Sequence, residues 1–211
     1  WRTEHYVRRT LTRVSKRRVK KTGGKPPALD MPVSRLQKRI LDESKKLLSV
    51  SVNLSRSSIL CEEIVEQYTK IVRENDIPIT CVPLEITESA SVYGQKVVKV
   101  AERLLQSGFK LHIDDFGSGY SSMESLSRLP FSVLKIDKSL IDHICETRVE
   151  ILVNHIIKLS KDLNMRVLAE GVETKEQLDI LRKIKCDEIQ GFYYARPMPE
   201  VEFVEYVRRK R

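Results

Sequence analysis

The sequence predicts an α/β protein of the parallel (β/α) class, a TIM-type barrel. Two observations point there. From residue 34 onward, short β-rich runs alternate with amphipathic helical stretches, the pattern of parallel strands joined by right-handed helical crossovers. The runs are SVSVNLS, VPLEITES, LHIDDF, VLKID, RVLAEG, DEIQGF and ARP, and seven such units favour a barrel over a doubly wound sheet.

The elements follow in order. Ser34 and Gln37 have the spacing of a capping box and open a helix carrying Leu36, Ile40, Leu47 and Leu48 on its inner face. SVSVNLS leads into a helix through Ile64, Tyr68, Ile71 and Val72. VPLEITES leads into another through Val97, Ala101, Leu104 and Leu105, ended by Gly108. After LHIDDF, Ser121 and Glu124 box a short helix; after VLKID, Thr147 with Glu150 starts one carrying Leu152, Ile156, Leu159 and Leu163. RVLAEG precedes a helix capped by Thr174 and Gln177, and a last helix lies near 200–209.

The chain has 211 residues, 41% of them hydrophobic, enough for a core of its own. It contains no run of 18 or more apolar residues and no apolar stretch behind its basic N-terminus, so neither a membrane span nor a signal peptide is expected. Cys61, Cys81, Cys145 and Cys186 lie far apart without CxxC spacing, which argues against zinc and for free thiols in a reducing compartment, the cytoplasm. The net charge of +9 is concentrated in one place. Residues 1–30 hold ten Lys and Arg against Glu4 and Asp30, whereas residues 31–211 hold 28 against 27 acids. Residues 1–33 therefore read as a basic leader, disordered or non-native, and residues 34–211 as the folded domain. Nucleic-acid binding has only the charge of this leader behind it, and the leader's GGK lacks the GxxxxGK[ST] frame of a phosphate loop.

Function is written at the strand ends. Asn53, Glu85, Asp114, Asp115, Lys135, Glu170 and Gln190 each stand at or near the C-terminal end of an apolar run, the face where parallel barrels build their sites. Two adjacent ionised aspartates repel each other and call for a cation or solvent. Oxygen ligands without His or Cys select Mg²⁺, Mn²⁺ or Ca²⁺. Asp114 and Asp115 suit two ions a few ångströms apart, as in two-metal phosphoester hydrolysis, with Lys135 neutralising developing charge or orienting water.

In this order, SVNLS, LEITES, IDDFGSGYSS, LPFSVLKIDKS, LAEGVET and QGFYYARPMP resemble the EAL domain, a bacterial signalling phosphodiesterase that cleaves cyclic di-GMP to linear pGpG. The resemblance covers residues 34 to 205. It implies that Asn53, Glu85 and Asp114 coordinate metal and that Asp115 serves the second ion, with two Mg²⁺ or Mn²⁺ ions in all. Glu170 is similar to the family's general base, Lys135 to its water- and phosphate-positioning lysine, and Gln190 to its site glutamine. Glu88 resembles the acid that anchors the loop after the LEITES strand. Ser118 stands where threonine is commoner. The resemblance further implies cyclic di-GMP as ligand, a homodimer, and an upstream sensory or cyclase domain.

One part of the pattern is absent. The Glu-Ala-Leu strand, whose glutamate is a metal ligand and whose leucine lies by the substrate, does not occur in this chain. Its place before the helix at 35–48 is taken by the basic leader, so the barrel is expected to be incomplete or irregular at its first strand. Activity is in doubt for the same reason, and the alternative is a catalytically inactive receptor for cyclic di-GMP or a protein-interaction module on the same barrel.

Overall fold

A computed structural model describes residues 37–40, 42, 48–61, 63–88, 94–119 and 123–209. The basic leader, Ser34, Leu36, Leu47 and Ser121, together with the side chain of Glu124, lie outside the described residues.

Six parallel strands are present among the described residues: β1 (Val52–Asn53), β2 (Leu84–Thr87), β3 (Leu111–Phe116), β4 (Val133–Ile136), β5 (Arg166–Glu170) and β6 (Glu188–Gln190). They neighbour one another in chain order, as expected when each strand is returned to the sheet by its own helix. Residues 37–40 and 42 are helical, and the helices with described bounds are α1 (Arg56–Ile59), α2 (Ile64–Glu74), α3 (Gly94–Gln106), α4 (Met123–Arg128), α5 (Lys138–Asp142), α6 (Thr147–Asp162), α7 (Lys175–Lys183) and α8 (Glu200–Arg209). The ARP segment at 195–197 forms no strand. With Pro197 ending it, there is little backbone to donate to a ladder.

The chain divides into two compact units. The first holds the end of β2 and residues 111–196. Its core is the buried set Leu111, Ile113, Val133, Leu134, Ile136, Val167 and Ala169 from the strands, with Ile141, Ile144, Val153, Ile157, Leu178 and Leu181 from the helices. Near-continuous Val, Ile and Leu is what a parallel strand needs when both faces are covered. The second unit holds β1, the start of β2, α2, α3 and α8. Ile64, Tyr68 and Val72 of α2 and Val97, Ala101 and Leu104 of α3 are buried as their spacing predicts, while Ile71 and Leu105 are half-buried. Ile40 and Val50 pack with Phe203, Val204 and Val207 of α8, and Leu48 lies partly buried against them.

Local signals hold to different degrees. Thr174 and Gln177 form a true capping box at α7. Helix α6 begins at Thr147, but its cap position is Glu146, with no side-chain cap. On that helix the buried line is Val153, Ile156, Ile157 and Ser160, whereas Leu152 and Leu163 are exposed and Leu159 is half-buried. The helix carries two apolar lines one residue apart, and spacing alone does not tell which faces inward. The four cysteines are free thiols. No described helix is long and apolar enough to cross a membrane.

Candidate active site

The paired aspartates owe their arrangement to an irregularity in β3. On a regular strand successive side chains point to opposite faces, which would separate Asp114 from Asp115. The ladder to β4 pairs Ile113 with Leu134 and Phe116 with Ile136, so one extra residue is inserted between those points on β3. This is the two-against-one count of a β-bulge. Asp115 adopts φ 57°, the left-handed region, which Asp tolerates better than most non-glycine residues. Asp115 N donates to Asp114 Oδ1 at 3.0 Å. Carboxylate oxygens of Asp114, Asp115 and Glu170 consequently lie within 4.8 Å of one another.

Register brings the remaining groups to the same face. Lys135 on β4 pairs with Leu168 on β5, and Glu170, two residues on, shares that face. Lys135 Nζ stands 2.7 Å from Asp114 Oδ1 and 2.9 Å from Glu170 Oε1. Lys135, Asp114 and Glu170 are 1%, 3% and 8% exposed. Such depth is tolerable for charges only when they are paired. Glu170 is in register with Gln190 on β6, and Gln190 Oε1 is buried with no hydrogen-bond partner among the described residues. Gly117 N donates to Glu88 Oε2 at 3.3 Å, so the buried Glu88 carboxylate holds the turn that follows the aspartates.

Asn53 and Glu85 belong to the other unit. They are in register on β1 and β2. Glu85 is 1% exposed and accepts a hydrogen bond from Ser51 Oγ at 2.7 Å. Ser51 carries no sequence signal of its own, although it stands two residues from Asn53 and a β-strand places such residues on one face.

The acidic cluster fits a divalent ion. It offers only hard oxygen donors from three carboxylates, the ligand type that Mg²⁺, Mn²⁺ and Ca²⁺ prefer, and Lys135 pairs with two of the three.

A model of the EAL domain matches residues 28–197. The cyclic di-GMP phosphodiesterase NbdA of Pseudomonas aeruginosa is 36% identical over 166 residues, 78% of this chain and 21% of NbdA. The bifunctional diguanylate cyclase/cyclic di-GMP phosphodiesterase MucR of the same organism is 34% identical over 75% of this chain and 24% of its own length. This chain thus spans about a fifth to a quarter of these relatives. Among solved structures, the EAL domain of Mycobacterium smegmatis DcpA superposes with a TM-score of 0.80 at 28% identity, covering 85% of this chain and 82% of that one. A model match over most of the chain, relatives above 30% identity and a shared TIM-type architecture lead to one conclusion: the chain belongs to the EAL domain family.

Proposed function

We propose that this chain is a phosphodiesterase domain that hydrolyses cyclic di-GMP to linear pGpG with the help of divalent metal. The observation that carries the reading is the buried Lys135 ammonium between Asp114 and Glu170, with Asp115 turned to the same cluster by the bulge. Relatives that bear the name cyclic di-GMP phosphodiesterase support the choice of substrate.

The family resemblance assigns Asn53, Glu85 and Asp114 to one ion and Asp115 to a second, Mg²⁺ or Mn²⁺, both of which hard oxygen donors accept. A divalent ion there supplies Lewis-acid stabilisation of phosphoryl charge. The residues of the chain do the rest. Glu170 accepts a proton from the attacking water at a carboxylate oxygen, as a general base within reach of the cluster must. Lys135 donates hydrogen bonds that orient the water or the phosphate and offset charge developing on its oxygens. Gln190, whose buried Oε1 has acceptor capacity to spare, serves the nucleotide side of the site. Water attack opens one phosphodiester bond, and the leaving oxygen takes up a proton.

The same reading makes the domain part of a longer protein. A sensory or cyclase domain upstream and a homodimeric assembly belong to it, and MucR combines both activities in its name. A second reading is favoured by one observation, the absence of a Glu-Ala-Leu tripeptide: a domain that binds the nucleotide without turning it over, or an interaction module. Incubation with cyclic di-GMP and Mn²⁺ separates them. Linear product supports the phosphodiesterase, and saturable binding without product supports the receptor.

A further inference from the structure

The three residues after Glu170 are gripped from two sides. Gly171 has φ 75°, and a Cβ built on it would lie 2.3 Å from Lys138 Cγ and 2.7 Å from both Lys138 Cβ and Cδ. The aliphatic stem of Lys138 therefore fills the space against this backbone. The same side chain reaches on, with Nζ 3.0 Å from Glu173 Oε1 and 2.7 Å from Asp142 Oδ1 on its own helix α5. The Asp142 and Glu173 carboxylates hold the ammonium's pKa above its ordinary value, against a smaller opposing effect of burial.

On the other side the backbone closes directly on β6. Val172 N donates to Gln190 O at 3.0 Å, and Val172 O accepts from Tyr193 N at 3.0 Å. A Cβ at Gly191 would lie 2.0 Å from Val172 O, so only glycine permits this approach. Residues 171–173 are thus held between Lys138 and the 190–193 segment, immediately after Glu170 in the chain.

We propose that Lys138 is a positioning residue for Glu170: it fixes the Gly171–Glu173 backbone so that the Glu170 carboxylate stays aimed at Lys135 and the paired aspartates. This rests on the reading of Glu170 as the general base. The stem matters more than the charge, because ion pairs as exposed as these contribute little, whereas a displaced carboxylate loses the alignment on which proton transfer depends.

The test compares Lys138→Ala, which removes stem and charge, with Lys138→Met, which keeps the stem. Turnover of cyclic di-GMP with Mn²⁺ is measured alongside calorimetric Mn²⁺ affinity, which needs no turnover, and thermal melting. Removing a support behind a site residue typically costs about 10–100-fold. Lys138→Ala is expected to lower kcat by about tenfold with KM within about twofold and, because the Glu170 carboxylate belongs to the acidic cluster with Asp114 and Asp115 and adds to its attraction for a cation, to weaken Mn²⁺ binding by a similar factor. Lys138→Met is expected to recover most of both. Unchanged kcat and Mn²⁺ affinity in Lys138→Ala overturn the proposal, as does a loss that merely tracks the folded fraction or that Lys138→Met shares in full. Should Lys138→Ala fold poorly, Lys138→Ser, which suits a first helical turn, carries the same comparison. A parent without turnover refutes the phosphodiesterase reading, and the Mn²⁺ titration then decides on Lys138 alone. A parent that neither turns over nor binds Mn²⁺ leaves Glu170 without a task and overturns the proposal too.

Discussion

The Lys135 ammonium stands 2.7 Å from Asp114 Oδ1, with only 1% and 4% of the two side chains exposed. A pair this deep is held by mutual attraction against the cost of removing both charges from water, and Glu170 at 2.9 Å adds a second carboxylate to the same cation. Deleting one partner strands the others. Lys135→Ala is expected to lower unfolding stability by about 3–5 kcal/mol, read as a fall in the urea midpoint, in addition to its loss of turnover. An unchanged midpoint would show that the buried pair contributes nothing net.

Metal binding is expected to depend on the aspartate nearest the lysine. Asp114→Asn keeps shape but removes a charge and should weaken Mn²⁺ by at least about 10–100-fold, the typical cost of losing even an indirect support of a metal site. Calorimetric titration reads it directly. Equal affinity in parent and variant would place the ion elsewhere.

The bulge in β3 makes its own prediction. Asp115 at φ 57° is in a conformation that costs an ordinary L-residue about 1–2 kcal/mol. Asp115→Val should therefore destabilise by roughly that amount or more, since β-branching worsens the strain, while Asp115→Gly should not. Both should lose metal affinity equally, because both lose the carboxylate. Comparable urea midpoints for the two variants would contradict the strained geometry.

Thiol chemistry separates the cysteines. Cys186 is fully enclosed, and desolvation pushes its pKa up to about 12; Cys145 is exposed. The thiolate is the reactive form, so a thiol reagent at neutral pH should label Cys145 in the folded protein and reach Cys186 only after denaturation. Rapid native labelling of Cys186, followed by peptide mass spectrometry, would contradict the burial of β5 against β6.

The strand-end residues are legible in the sequence because each breaks an apolar run with a group that burial alone would not select. Asp114, Lys135 and Glu170 stand out for this reason and meet in the structure. The bulge that makes Asp115 useful is not legible, since an inserted residue leaves no mark in a strand where His112, Ile113 and Asp114 are buried alike. The inward face of α6 is ambiguous for the opposite reason, having apolar residues on two lines. Helices α1 and α5, of four and five residues, are too short to show a period. The contact of Lys138 with Gly171 joins segments 33 positions apart that no local pattern connects.

Whether Glu170 takes the proton from the attacking water is read from hydrolysis of cyclic di-GMP by the parent and by Glu170→Gln with Mn²⁺. General-base action contributes about 10²–10⁴-fold. Measurable linear product is expected from the parent and a loss of that order in kcat for Glu170→Gln, with nucleotide affinity largely kept. A parent that hydrolyses the nucleotide while Glu170→Gln is equally fast would contradict this role for Glu170.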